Sequence, residues 1–152
     1  PLETLYLLKK TASKSVVHVQ PVIYCKFQPN GYDCEGNKKS LPKFYYDLKM
    51  EDCKSTNIGN CPNNLNSFRT LSDCHNTCRD VGLQKVQENL SARIYCRLQH
   101  DFGTCYGYYP KWYYDVTERR CRGFSYSGCG GNLNRFSSQQ TCITTCSGPT
   151  GN

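Results

Sequence analysis

Residues 121–146 read CRGFSYSGCGGNLNRFSSQQTCITTC, in which four cysteines are separated by 7, 12 and 3 residues. Upstream, Cys96 and Cys105 add gaps of 8 and 15, completing a six-cysteine series that ends at Cys146. An earlier series runs from Cys25 to Cys78 with gaps of 8, 18, 7, 12 and 3. Four of the five gaps agree between the two series, so the chain holds an internal repeat, and the repeat sets its organisation. The expected division is an N-terminal extension (1–24), a first cysteine-rich unit (25–78), a linker (79–95), a second unit (96–146) and a short tail (147–152).

Twelve cysteines in 152 residues are far too many for a reduced cytosolic protein and point to disulfides made in an oxidising compartment. Mean hydropathy is −0.67, and the chain has one tryptophan and one methionine. Units of about 50 residues bury too little surface for a core alone to hold them, so cross-links must supply much of the stability. No run approaches the roughly 20 apolar residues of a membrane span. The opening PLETLYLLKK lacks a basic n-region, and charges flank its short apolar run. The chain therefore reads as a mature secreted form, not an intact signal peptide. One N-glycosylation sequon, Asn89-Leu90-Ser91, suits a secreted glycoprotein.

Local signals repeat with the cysteines. KFYYD (43–47) and KWYYD (111–115) are aromatic-rich runs ending in a turn-forming Asp, and both predict strands. Phe124 and Tyr126 alternate as in a returning strand. Thr70 to Asp73 matches a capping box ahead of Cys74 and Cys78, which would share one helical face, and Ser138 holds the equivalent place before Cys142 and Cys146. The expected fold is small, disulfide-rich α+β, each unit a twisted β-hairpin followed by a C-terminal α-helix with three bridges. Spacing alone leaves 15 connectivities per unit open. In the linker, Val81, Leu83, Val86 and Leu90 have roughly helical spacing, interrupted by Gly82.

Several function classes are disfavoured. Zinc sites use paired C-x2-4-C knuckles, whereas each unit here has one close pair, and only three histidines exist. His75 is expected on an exposed helix face. No triad order, HExxH or phosphate loop is present, and His18, His75 and His100 lack a nucleophile pattern, so the protein is not expected to be an enzyme or to need a cofactor or metal. Nucleic-acid binding would need surface aromatics among basic residues, and the aromatics here belong to the hairpins.

The series C-x8-C-x15-C-x7-C-x12-C-x3-C, with Phe124, Tyr126, Gly128, Asn134 and Phe136, resembles the Kunitz family of serine-protease inhibitors. The resemblance implies first-to-sixth, second-to-fourth and third-to-fifth bridges: Cys25–Cys78, Cys34–Cys61 and Cys53–Cys74, then Cys96–Cys146, Cys105–Cys129 and Cys121–Cys142. It also implies that the residue after the second cysteine enters the protease specificity pocket. In the second unit that residue is Tyr106, followed by Gly107 and preceded by Thr104 and Cys105; Tyr108 and Tyr109 continue the inhibitory loop. Gly130 and Gly131 would lie on the adjoining loop. A phenol suits a hydrophobic slot and cannot pair with an acidic pocket base, which implies a chymotrypsin-type target. In the first unit Asp33, Glu35 and Gly36 stand in these places, and its EGNKKSLP (35–42) has eight residues where YGYYP (106–110) has five. Tyr32 and Asn60 replace the glycines at 103 and 128, and Thr56 and Ile58 replace Phe124 and Tyr126. A degenerate loop is expected there.

Tandem units with altered loops resemble the anticoagulants of blood-feeding ticks, which implies a monomeric inhibitor of blood coagulation acting on thrombin. In that group N-terminal residues enter the active site and the second domain docks on a basic exosite. Carried over, Pro1, Leu2, Glu3, Thr4 and Leu5 become the cleft-binding segment. Charge opposes the exosite half of the carry-over. Residues 96–146 hold six basic and three acidic side chains, whereas 25–78 hold seven and six, so the first unit is the better exosite partner. Arg119, Arg120 and Arg122 form a basic face whose functional alternative is a heparin-like glycan. A channel-blocking role is the remaining alternative for the fold.

Overall fold

The two aromatic runs each form the first strand of an antiparallel hairpin. The computed structural model describes residues 19–29, 40–59, 65–85 and 89–151. Strand β1 (Ser40–Asp47) pairs with β2 (Asp52–Gly59), placing Tyr46 opposite Cys53. Strand β3 (Tyr109–Asp115) pairs with β4 (Arg120–Tyr126), placing Tyr114 opposite Cys121. The Asp that ends each first strand makes its turn. The Asp47 carboxylate accepts from Met50 N–H at 2.9 Å, and that of Asp115 accepts from Thr117 and Glu118 N–H at 2.9 and 3.1 Å. Each turn closes on a non-glycine residue in the left-handed region, Glu51 (φ 54°) and Arg119 (φ 55°). Burial acts to raise the Asp47 pKa, but Met50 N–H, the Tyr45 hydroxyl and the Lys54 ammonium outweigh it and hold the carboxyl below its ordinary value.

Helix α2 (Leu71–Cys78) follows in the first unit, its N-terminus capped by the Thr70 hydroxyl, which accepts from Asp73 N–H at 3.0 Å. At the start of α4 (Gln139–Gly151) the Ser138 hydroxyl accepts from Thr141 N–H at 3.1 Å. That helix continues into the segment read as a tail. Disulfides join Cys25 to Cys78, Cys53 to Cys74, Cys96 to Cys146, Cys105 to Cys129 and Cys121 to Cys142. Each removes about 3 kcal/mol of unfolded-chain entropy on the loop-closure picture. Cys34 and Cys61 lie outside the described residues. The small disulfide-rich α+β class is therefore the observed one.

Each unit has its own core, built on bridges and one tyrosine: Cys25, Tyr46, Cys74 and Cys78 in the first, and Cys96, Tyr114, Cys121, Phe136, Cys142 and Cys146 in the second. A fully buried asparagine sits beside each. The Asn66 amide donates to the carbonyls of Cys25, Phe27 and Tyr46 and accepts from Tyr46 N–H. The Asn134 amide does the same with Cys96, Leu98 and Tyr114.

The extension and linker carry more structure than their composition suggests. A single helical turn, α1 (Pro21–Tyr24) or α3 (Ala92–Tyr95), precedes the first cysteine of each unit. The apolar spacing at 81, 83, 86 and 90 does not produce one helix. Val81–Leu83 is a 3-10 turn, and Gly82 lies so close to the Tyr46 ring that a Cβ would fall 2.4 Å from it. The glycine permits this packing and ends the helical pattern; Val86 lies outside the described residues. Lys26, 9% exposed, donates to the Gly82 carbonyl at 2.8 Å and that of Val22 at 3.2 Å, fastening the turn to α1. Burial lowers its pKa, against the opposing field of Asp101.

The units meet through a reciprocal exchange. Phe27 and Leu98 form an antiparallel bridge, with Gln28 N–H donating to the Arg97 carbonyl and Gln99 N–H to that of Lys26, both at 2.8 Å. The Gln28 side chain crosses into the second unit, where it donates to the Leu98 and Tyr114 carbonyls and accepts from Val116 N–H. The Gln99 side chain crosses the other way to the Phe27 and Tyr46 carbonyls and Leu48 N–H. Val19, Phe27, Ile94 and Leu98 form a third core between the units. This is an isologous contact made within one chain.

The exchange predicts coupling across the junction. Gln99→Ala, a change in the second unit, leaves the Leu48 amide of the first without its acceptor. It should cost about 1–3 kcal/mol and speed hydrogen exchange at Leu48; unaltered exchange there would contradict the coupling.

Candidate functional site

The segment from Phe102 to Tyr109 is fixed on both sides while its middle stays open. Tyr106 is 93% exposed and Tyr108 80%. Below them, the Cys105–Cys129 bridge ties the segment to the loop that follows β4, with Cα atoms 5.5 Å apart. Thr104 N–H donates to the Cys129 carbonyl at 3.0 Å, and Gly107 N–H to the Ser127 carbonyl at 2.9 Å. Ser127 N–H donates to the Phe102 carbonyl at 2.7 Å. The Ser127 hydroxyl accepts from Cys105 N–H at 2.9 Å and donates to the Cys129 carbonyl at 3.2 Å.

Glycines allow the two loops to approach. Gly103 has φ 92°, its N–H donates to the Asp101 carboxylate, and a Cβ there would fall 2.1 Å from the Cys129 carbonyl oxygen. Gly107 lies under the Tyr109 ring, with 2.5 Å between a notional Cβ and that ring. On the adjoining loop Gly130 and Gly131 take φ 73° and 81°. Its carbonyls are held by the Tyr126 hydroxyl, which donates to Gly130 at 2.9 Å, and by Arg135, which donates to Asn132 at 2.7 Å. The Arg135 guanidinium also stacks on the Tyr126 ring, 4.1 Å from its centroid.

The structure thus brings Thr104, Cys105, Tyr106, Gly107, Tyr108, Tyr109, Gly130 and Gly131 into one surface. Asp33, Glu35, Gly36 and the segment Pro1, Leu2, Glu3, Thr4 and Leu5 lie outside the described residues. Ser127, Phe102 and Arg135 are supports that sequence reading passes over. Their one signal is position: Ser127 lies two residues before Cys129, Phe102 stands just before Gly103, and Arg135 follows Asn134. Phe102 faces Tyr108, their ring centroids 6.1 Å apart.

Elsewhere His75, His100 and the basic face are engaged. His75 Nε2 lies 3.1 Å from an Asp52 oxygen and Arg79 is within 3.2 Å of the ring. The nearby Cys53 sulfur is committed to its disulfide, so the trio of Asp52, Cys53 and His75 lacks a thiolate. His100 stacks on Tyr113 with centroids 4.2 Å apart. Arg120 and Arg122 share the Glu118 carboxylate at 2.9 and 2.8 Å. No helix among the described residues is long and apolar enough to cross a membrane.

A segment held between a disulfide and backbone hydrogen bonds, with large side chains standing free, loses little conformational freedom when a cleft closes around it.

The family model described as "Kunitz/Bovine pancreatic trypsin inhibitor domain" matches residues 24–79 and 95–147. Among similar curated proteins, "Actinia tenebrosa protease inhibitors" of Actinia tenebrosa is 35% identical over 115 residues, covering 74% of this chain and 39% of that protein. Doenitin-1 of Haemaphysalis doenitzi is 28% identical over 106 residues, covering 70% of this chain and 75% of its own length. Amblin of Amblyomma hebraeum is 32% identical over 123 residues, covering 81% of this chain and 68% of its own length.

Rigidity at Gly103 generates a test. Gly103→Ala forces a Cβ onto the Cys129 carbonyl in a backbone region that disfavours side chains. It should destabilise the second unit by about 2 kcal/mol or more, read as a lower thermal midpoint and faster amide exchange at Thr104.

Proposed function

The chain belongs to the Kunitz/bovine pancreatic trypsin inhibitor family, and from that premise we propose that it is a secreted inhibitor of a trypsin-fold serine protease. Tyr106 of the second unit is the residue that enters the specificity pocket. The observation that carries this reading is the exposure of Tyr106, 93%, on a segment otherwise fixed through Thr104, Cys105 and Gly107. A phenol fills an apolar slot and leaves an acidic pocket base unpaired, so the favoured class is chymotrypsin-like. The disulfide-dense fold supports an extracellular setting, and Asn89, exposed in the linker, is the proposed glycosylation position. The units so read run from 25 to 78 and from 96 to 146.

Replacing the phenol with a guanidinium should move the target. Tyr106→Arg is expected to weaken chymotrypsin inhibition by more than about 2 kcal/mol, or thirtyfold, and to create trypsin inhibition; unchanged inhibition constants for both enzymes would remove Tyr106 from the site.

A second reading, resting on the resemblance to tandem tick inhibitors, assigns thrombin as target and the N-terminal residues as the cleft-binding segment, with the first unit on an exosite. What supports it is the anchoring of Val19, 1% exposed, in the core between the units. On this reading, deleting residues 1–18 abolishes thrombin inhibition while Tyr106→Arg leaves it nearly intact. Cleavage of a small peptide and of fibrinogen, assayed side by side, separates active-site from exosite blockade. A heparin-like glycan on Arg119, Arg120 and Arg122 is the weaker proposal, because Glu118 already pairs two of the three.

A further inference from the structure

Tyr106 is flanked by two backbone amides, those of Cys105 and Gly107, and both are held by one residue of the other loop. Cys105 N–H donates to the Ser127 hydroxyl at 2.9 Å and Gly107 N–H to the Ser127 carbonyl at 2.9 Å. The same serine closes the frame on its other sides. Its N–H donates to the Phe102 carbonyl at 2.7 Å, and its hydroxyl donates to the Cys129 carbonyl at 3.2 Å. Ser127 is 2% exposed, so these bonds are shielded from competing water. Gly103 is matched to it, since a Cβ at 103 would fall 2.6 Å from the serine oxygen.

We infer that Ser127 is a positioning residue for the presented peptide bond between Tyr106 and Gly107. This rests on reading the second unit as the inhibitory one. The backbone bonds of Ser127 need no particular side chain, but the bridge from Cys105 N–H to the Cys129 carbonyl needs its hydroxyl. That bridge lies beside the Cys105–Cys129 disulfide and fixes the orientation of Cys105, hence the direction in which Tyr106 leaves the surface. Attack by a protease on the Tyr106 carbonyl releases the Gly107 amine, and water then completes hydrolysis to a Tyr106 carboxylate. A frame that holds the amine in place favours re-formation of the bond over its loss, which is the condition for inhibition instead of digestion. Without the hydroxyl, one buried donor and one acceptor lose a partner and the frame loosens.

The test compares the full chain with its Ser127→Ala and Ser127→Gly variants. Three quantities are measured: the chymotrypsin inhibition constant, the rate of cleavage between residues 106 and 107 by mass spectrometry, and amide hydrogen exchange at Cys105 and Gly107. Ser127→Ala should weaken inhibition roughly tenfold and quicken both cleavage and Cys105 exchange by similar factors. Ser127→Gly leaves room for a water bridging the same two groups and should recover part of each loss. Inhibition, cleavage and exchange all within twofold of the unaltered chain, as an order-of-magnitude threshold, would overturn the assignment. If the unaltered chain does not inhibit chymotrypsin, the reading of the second unit fails instead. Exchange at Cys105 and Gly107 then decides the serine by itself: faster exchange in Ser127→Ala supports the positioning role, and equal exchange overturns it.

Discussion

Four backbone carbonyls carry the architecture. Those of Phe27 and Tyr46 each accept one hydrogen bond from Asn66 and a second from Gln99, which belongs to the other unit. Those of Leu98 and Tyr114 accept from Asn134 and, across the junction, from Gln28. A carbonyl has two lone pairs, and a buried one left short is costly. Here one lone pair holds a unit together from within and the other holds it to its neighbour. The internal fold and the pairing of the units are thus satisfied at the same atoms, and disturbing either asparagine disturbs the junction as well.

This sharing answers a problem of size. A unit of about 50 residues buries too little apolar surface to be comfortably stable, and the two cores here are largely cystine and tyrosine. The apolar side chains of Val19, Phe27, Ile94 and Leu98 are buried together where the units meet. Disulfides restrict the unfolded chain; the junction supplies additional burial in the folded one. The tip that carries Tyr106 lies outside both arrangements and is stiffened by its own means: one bridge, four glycines and the bonds of Ser127.

What could be read in the sequence was whatever recurs. The cysteine gaps, the pair KFYYD and KWYYD, and the hydroxyl caps at Thr70 and Ser138 each carry a local, periodic physical signature, and hairpins, helices and caps stand where those signatures fall. The exposed tyrosine was legible through the family resemblance, which singles out the residue after the second cysteine. Gln28 and Gln99 were not visible: a lone glutamine has no period, and their partners are backbone atoms 51 to 88 residues away. The single-turn helices ahead of Cys25 and Cys96 are too short to show a 3.6-residue pattern. Gly82 registered only as a break, since its reason is the Tyr46 ring. Ser127 acts through one hydroxyl, and composition does not distinguish it from any loop serine.

The glutamine exchange has a bearing on how such a chain can change. Each glutamine reads carbonyls and an amide of the peptide backbone, groups that every residue except proline provides in full. Side chains on the facing strands can therefore be exchanged without erasing what the glutamines recognise. The two units can in this way differ widely in sequence, with glutamate at 35 in one and tyrosine at 106 in the other, while remaining a single body. The junction is locked at its least mutable atoms and left open to divergence everywhere else.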